Sequence, residues 1–111
     1  MPTPQEELAP IVEHFPAFWQ EARHLFTDSL YEAARLDRKT IELIFCPLLA
    51  ARRWETGVRT HVATALEVGA TVEEVRGALL MSMAVAGTSA AVSGLYWAED
   101  VIKHQAASAP R

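Results

Sequence analysis

Two side chains in this sequence, Glu42 and His61, are suited to proton transfer. An imidazole titrates at about pH 6.5 and can both give and take a proton at neutral pH. A carboxyl group in apolar surroundings has a raised pKa unless an arginine or a histidine neighbours it. Glu42 borders such surroundings, because Phe45, Cys46 and Leu49 follow it at three, four and seven residues on a predicted helix. The two residues are therefore candidates for a general acid or base and its proton relay.

Small residues flank the histidine on the same predicted helical face. Gly57 lies one turn before His61 and Ala65 lies one turn after it. Because residues four apart are neighbours on a helix, this spacing predicts a gap beside the ring with room for a ligand. Each candidate also has an ordinary explanation: His61 as a hydrogen-bonded core or interface residue, and Glu42 as a first-turn glutamate favoured by the helix dipole.

Arginines and a tryptophan occupy the stretch between the two candidates. Arg53 or Arg59 could bind a substrate carboxylate through two parallel hydrogen bonds. The alternative is that they complement a helix end or pair with acids such as Glu55. Trp54 could stack on a planar substrate, and it could equally close the pocket.

The composition limits the classes of partner. The 111 residues carry a net charge of −4, which disfavours a nucleic-acid groove because phosphate binding requires clustered Lys and Arg. Half of the residues are hydrophobic, a share that predicts apolar surface covered by a partner subunit, hence a homo-oligomer. His14, His24 and His104 have no partner at metal-ligand spacing, so we expect neither a metal nor a cofactor. Small molecules are the expected ligands.

The single cysteine and the apolar runs indicate the compartment. Cys46 has no second cysteine with which to form an internal disulfide, and it is more typical of a small buried residue than of a nucleophile. The longest nearly apolar run, 78–87, is shorter than the ~20 residues that span a bilayer. Since residues 1–9 contain no apolar export segment, we expect a cytoplasmic protein.

Apolar residues recur at three- and four-residue steps throughout, which predicts an all-α bundle of five or six helices in one domain, 1–111, packed through small residues including Gly77 and Gly94. Residues 1–10 and 108–111 are expected to be flexible, with poor helix before Ile11. Thr71 and Glu74 form a predicted capping box. Residues 78–86 form the second half of the predicted helix 72–86 and are apolar on nearly every side. We therefore expect this half to lie at the centre of the bundle. One predicted helix starts near Pro16, and the next starts after Asp37 as its N-cap. Three further helices are predicted over residues 56–68, 72–86 and 88–105.

Three stretches, LDRKTIELI (36–44), GVRTHVATALEVGAT (57–71) and VEEVRGALLMSMAVAGTSAAVSGL (72–95), together resemble the carboxymuconolactone decarboxylase and AhpD-like family. The resemblance implies an all-helical protomer that assembles into trimers or hexamers, with a site between the Glu-bearing and His-bearing helices. In the redox branch of that family a C-x-x-C pair stands where this chain has Trp54 and Gly57. Disulfide exchange at that motif is excluded, because it needs an attacking thiolate and a second sulfur.

The chain is therefore nearer the decarboxylase branch, whose His-Glu-Leu-Arg-x-His stretch it matches at Arg59 and His61 but not at Thr56 and Gly57. The resulting hypothesis is a cofactor-independent lyase of aromatic-compound catabolism that decarboxylates a small carboxylated lactone or keto acid. His61 would be the general acid or base and Glu42 would orient it. Substrate-binding roles fall to Arg59, Arg53, Trp54 and Gly57.

Two other hypotheses are open. The first is a non-catalytic binding or assembly module whose pocket is closed by Trp54 and which has no peroxidase activity. The second, ranked last, is a thiol peroxidase that uses Cys46 alone. An open space beside Glu42 and His61 within hydrogen-bond reach would favour catalysis, and a Trp54 ring in that space would favour the module.

Overall fold

The computed structural model of the chain describes residues 2–108, and all regular secondary structure within that range is helical. The chain divides into two compact units, one up to Asp37 and one from Arg38 onward. The all-α prediction is confirmed. None of the described helices is long and apolar enough to cross a membrane. The predicted single domain stays a prediction, and the expected flexibility of residues 1 and 109–111 lies outside the described residues.

The first unit consists of two helical rods. Helix α1 spans Pro4–His14. Helix α2 spans Pro16–Arg23 and continues through a π-helical segment, His24–Ser29, into α3, Leu30–Ala34. The predicted start at Pro16 is confirmed, since a proline is well tolerated at the first helical position. None of the described residues of this unit is buried.

The prediction of poor helix before Ile11 is wrong. Thr3 accepts a hydrogen bond from the backbone N–H of Glu6, and the Glu6 side chain accepts one from the backbone N–H of Thr3. This capping box satisfies two donors that the first turn leaves unpaired, and Pro4 stands where its missing N–H costs nothing. Pro10 lies inside the helix, so the local cap outweighs its unfavourable effect.

The second unit holds the remaining helices, α4 to α8. The predicted starts after Asp37 and Thr71 are confirmed, and the Thr71–Glu74 capping box is present. Gly69 and Gly87 have φ of 104° and 93°, left-handed conformations that favour glycine after a helix end. The bounds are α4 Arg38–Ala51, α5 Glu55–Glu67, α6 Val72–Leu80, α7 Ser82–Ala86 and α8 Thr88–Ser108.

The core of the second unit is built largely from small residues. Helices α4, α5, α6 and α8 pack around one cluster in which Leu79 is among the largest fully buried side chains. Small side chains let the helix axes approach closely, which places the side chains of α4 and α5 in direct contact. The buried hydrophobic members of the cluster are Cys46, Ala50, Val58, Val62, Ala65, Ala70, Val75, Leu79 and Ala98.

The prediction that residues 78–86 are central is wrong. Met81 interrupts the helix between α6 and α7, and Met81 and Val85 are 66% and 94% exposed. Apolar side chains cover all sides of this segment, but within the chain only Leu79 and Ser82 of it are buried. The segment therefore presents an apolar surface, and hydrophobicity alone did not identify which side faces the core.

The two helical glycines behave differently from each other. A Cβ at Gly94 would lie 2.9 Å from Ala50 Cβ and 3.1 Å from Leu79 Cδ2, whereas a Cβ at Gly77 would meet nothing within 4 Å. The expected packing role is confirmed for Gly94, which lets α8 approach α4 and α6. It is wrong for Gly77, which is exposed.

The substitution Gly94→Ala should lower the free energy of unfolding by about 1–3 kcal/mol, because an added methyl group overpacks a close helix contact. Gly77→Ala is the matched control and should raise it by roughly 0.5–1 kcal/mol, since alanine lowers the entropy cost of helix formation. Urea unfolding followed by circular dichroism measures both. Equal effects of the two variants would contradict the assigned close contact.

Candidate functional site

Glu42 lies on the buried stripe of α4. Glu42, Cys46 and Ala50 follow one another at four-residue steps, and all three have no exposed surface. The periodicity that buries the two small residues therefore carries the carboxyl group into the core with them. Such a group needs partners that satisfy its hydrogen bonds and its charge.

His61 provides the first partner from the neighbouring helix. Its Nδ1 lies 2.5 Å from Oε2 of Glu42, a contact that joins α5 to α4 across nineteen residues of sequence. The side chain of His61 is 29% exposed, against 0% for Glu42. The imidazole thus links a carboxylate that water does not reach to the surface of the chain.

Arg38 provides the second partner from one helical turn earlier. Its Nε donates to Oε1 of Glu42 at 2.9 Å, so a guanidinium and an imidazole contact opposite oxygens of one carboxyl group. Sequence reasoning missed Arg38. The four-residue spacing from Arg38 to Glu42 was the available signal, because oppositely charged residues at that spacing adjoin on a helix.

The partners determine the charge of Glu42. Burial by itself raises the pKa of this carboxyl group, but the hydrogen bonds and charges of His61 and Arg38 outweigh burial and hold the pKa below its ordinary value. Glu42 is therefore ionised at neutral pH and accepts the hydrogen bond, so Nδ1 of His61 donates it. In the neutral imidazole Nε2 then carries the free lone pair, which is the arrangement of a histidine poised to exchange protons.

Two further residues surround the pair. The rings of Phe45 and His61 meet edge to face, with centroids 5.0 Å apart and an interplanar angle of 70°. Cys46 donates through Sγ to the backbone oxygen of Glu42 at 3.2 Å and is fully buried. Burial and the charge of Glu42 raise the pKa of Cys46 to about 12. Because the thiolate is the reactive form, this thiol is unsuited to peroxidase chemistry.

The gap expected beside Gly57 is filled, so that expectation is wrong. A Cβ at position 57 would lie 2.7 Å from Cε3 of Trp54 and 3.0 Å from Cδ2 of Leu49. The indole therefore occupies the space that a side chain at position 57 would take. Trp54 is still 46% exposed, so its ring also presents a planar surface seven residues before His61 in the sequence. The close packing of the Trp54 ring therefore requires a residue without a side chain at position 57.

The two arginines predicted to bind substrate make other contacts. Arg59 donates to Glu55 at 2.8 Å and also to Asp100 of α8, and its side chain is 28% exposed. Arg53 has a left-handed backbone, with φ of 58°, and donates to Ser89. Neither described set of contacts includes Glu42 or His61. Arg59 ties α5 to α8, while Arg53 lies exposed beside Trp54.

No group of three or more His, Cys, Asp or Glu side chains within residues 2–108 is arranged to hold a metal ion. The contacts of Glu42 with His61 and Arg38 suit the site to proton transfer and hydrogen bonding. His61 can exchange a proton with a ligand while Glu42 balances the charge of the imidazolium.

Comparison with known families identifies one match. Residues 15–100 match the model of the Carboxymuconolactone decarboxylase family, which covers more than half of the chain and includes Arg38, Glu42, Trp54 and His61. No curated protein and no solved structure matches the chain.

The substitution Glu42→Gln should lower the free energy of unfolding at neutral pH by about 1–3 kcal/mol, the range for disturbing a buried polar partner. The folded pKa of Glu42 lies below the unfolded value of about 4.3. Its stabilisation is therefore present above that pH and is lost as the pH falls through the folded pKa. Urea unfolding at a series of pH values should show the wild type and the variant converging in acid.

Glu99→Gln is the control, because Glu99 pairs with Arg76 where both side chains are largely accessible to water, at 39% and 47% exposure. Such a surface pair contributes only about 0–1 kcal/mol. A Glu42→Gln deficit that matches the Glu99→Gln deficit, or that does not change with pH, would contradict the ionised state of Glu42.

Proposed function

Because the chain belongs to the carboxymuconolactone decarboxylase family, we propose that it is a cofactor-independent decarboxylase-like enzyme acting on a small carboxylated lactone or keto acid. One observation carries the proposal: a partly exposed imidazole, His61, held at 2.5 Å by a fully buried carboxylate, Glu42. A histidine in this setting can be protonated and deprotonated without leaving a buried charge unpaired. Fold alone does not establish a reaction, so the proposal rests on this pair.

The proposed reaction needs one proton donor. The bond between the carboxylate carbon and its neighbour breaks, CO2 leaves, and the electron pair moves into a conjugated carbonyl group as an enolate. His61, as the imidazolium, then gives the proton of Nε2 to carbon, and it recovers a proton from water. Glu42 stabilises the imidazolium that precedes this transfer.

The substrate would lie against Trp54. A partly exposed indole ring seven residues before His61 suits a planar, conjugated acid, which is the electronic arrangement that this decarboxylation requires. Arg53 is the better placed of the two proposed carboxylate-binding residues, because it is exposed and adjoins Trp54. Arg59 would first have to exchange its contacts with Glu55 and Asp100. Gly57 contributes by admitting the indole.

We also propose that the chain works as a homo-oligomer, as a trimer or a hexamer. Exposed apolar side chains on each unit support this, since burying them on association is favourable. The first unit exposes Phe15, Phe18 and Phe26, and the second exposes Met81, Val85 and Tyr96. A cytoplasmic location and a role in aromatic catabolism stay predictions.

A screen of lactone acids and keto acids by thermal shift tests the enzyme proposal. A ligand at 100 times its Kd should stabilise the wild type by about 2.7 kcal/mol. His61→Ala should lose most of that stabilisation, because the imidazole that meets the ligand is absent, and it should not sustain release of labelled CO2, because the enolate that forms is not protonated. His104→Ala is the matched control, since the His104 side chain is 78% exposed and the described contacts of its ring are with Asp100, one turn away.

Wild-type turnover that persists in His61→Ala would overturn the assigned role of the histidine. A compound that stabilises both variants equally would bind elsewhere. Stabilisation without CO2 release from any compound would leave the binding module as the better hypothesis.

The second candidate function is a non-catalytic binding or assembly module, and the indole packed on Gly57 favours it. The variant Trp54→Ala separates the two. If the ring stacks on a substrate, the variant should bind that compound about tenfold or more weakly, since a stacked aromatic contact contributes about 0.5–1.5 kcal/mol beyond its buried area. If the ring closes the site, the variant should bind compounds that the wild type rejects.

Isothermal titration calorimetry of the wild type and Trp54→Ala with the compounds from the screen measures this difference. Trp97→Ala is a poor control because Trp97 packs on the core, whereas Trp54→Phe keeps a planar ring of smaller size. Under the stacking interpretation Trp54→Phe should retain most of the affinity, and new ligands for Trp54→Ala alone would contradict it.

A further inference from the structure

Arg38 brings a permanent positive charge from the surface to a buried group. It is the first residue of α4, and its side chain is 51% exposed while that of Glu42 is 0% exposed. Its Nε donates to Oε1 of Glu42, and His61 contacts Oε2 of the same carboxylate. A guanidinium keeps its charge at every physiological pH, whereas an imidazole is charged only when it is protonated.

The charge of Glu42 decides which nitrogen of His61 carries the proton. An ionised carboxylate only accepts hydrogen bonds, so Nδ1 must donate and Nε2 keeps its lone pair. A protonated carboxyl group would instead donate its O–H to Nδ1. The proton of the neutral imidazole would then move to Nε2, and the lone pair would face the buried acid. Loss of the charge on Glu42 would therefore reverse the tautomer of His61.

Orientation of the carboxyl group has a similar consequence. With Arg38 donating to Oε1, that oxygen is held on the Arg38 side, and Oε2 is turned toward the ring of His61. The other titratable group that senses this charge is the Cys46 thiol, which hydrogen-bonds to the backbone of Glu42 and stays protonated. Arg38 therefore affects both the charge of the Glu42 carboxyl group and the orientation of its oxygens toward His61.

We propose that Arg38 is the positioning residue of the site: by holding Glu42 ionised and turned toward His61, it fixes the imidazole proton on Nδ1 and keeps Nε2 free for the ligand. The inference rests on the proposed function only in taking His61 as the group that meets the ligand. An ordinary helix ion pair would predict a change in stability alone, with no change in the tautomer.

The proposal is tested without a substrate by nuclear magnetic resonance of the chain labelled with nitrogen-15 in histidine. The signals of the two ring nitrogens report the tautomer at a pH where the imidazole is neutral. In the wild type, Nε2 of His61 should be the unprotonated nitrogen. In Arg38→Gln, the neutral form should change to protonation mainly on Nε2, and the carbon-13 signal of the Glu42 carboxyl should titrate at higher pH.

Two further variants control for charge and for position. Arg38→Lys keeps the positive charge and should keep the wild-type tautomer. Arg76→Gln removes an arginine that also pairs with a glutamate, but at a surface site, and it should leave His61 unchanged. A reversed tautomer in Arg76→Gln, or in Arg38→Lys, would overturn the proposal.

A variant that leaves Arg38 intact tests its orienting effect even if Arg38→Gln does not fold. In Glu42→Gln, the Arg38 guanidinium needs the amide oxygen as its acceptor, which turns the amide NH2 toward His61. Since NH2 only donates, Nδ1 must accept and the ring proton must lie on Nε2. If the ring proton stays on Nδ1 in this variant, Arg38 does not fix the orientation.

An unchanged tautomer in Arg38→Gln, together with unchanged titration of Glu42, would also overturn the inference. These outcomes are distinct from failure of the proposed function. A reversed tautomer in a protein that binds none of the screened acids would support the role of Arg38 and refute the substrate class. Substrate turnover by the wild type, together with an unchanged tautomer in Arg38→Gln, would support the substrate class and refute the role of Arg38.

Discussion

A carboxylate with no exposed surface lies inside the unit that begins at Arg38, and the rest of the site depends on satisfying it. An isolated charge in a protein interior costs several kcal/mol, a large part of the stability of a domain this small. Glu42 therefore requires a hydrogen-bond donor on each oxygen, and Arg38 and His61 supply these donors from the same helix and from the next one. The packing of α4 against α5 therefore brings His61 to Glu42, and this contact helps to keep Glu42 ionised.

This arrangement also disfavours thiol chemistry at Cys46. Cys46 lies one turn after Glu42 on the same buried stripe, where burial and the neighbouring negative charge keep its thiol protonated. Cys46 is the single cysteine of the chain, and the indole of Trp54 fills the space over Gly57. The site thus combines the Glu42–His61 pair with an indole packed on Gly57, and the proposed proton transfer to a flat, conjugated acid depends on these groups.

Local sequence signals predicted most of the helix boundaries. Thr71 with Glu74 starts α6, and Gly69 and Gly87 adopt the left-handed backbone that ends a helix, because capping and positive φ depend on residues adjacent in sequence. The same rule predicts the start of α1 at Thr3 and Glu6, and this cap outweighs the unfavourable effect of the proline inside the helix. Hydrophobicity is a weaker signal than capping, because an apolar residue such as Val85 can face either the core or the surface.

The sequence by itself determined the helical class, the family, and the two residues of the proposed acid–base pair, because helical periodicity and motif spacing can be read directly from the order of residues. Tertiary structure decided what surrounds that pair. It buried Glu42 completely, placed Arg38 on its second oxygen, turned Arg59 to Asp100 and laid Trp54 over Gly57. These contacts depend on how helices rotate and pack against one another, and several rotations satisfy the same hydrophobic pattern until side-chain volumes and buried charges select one.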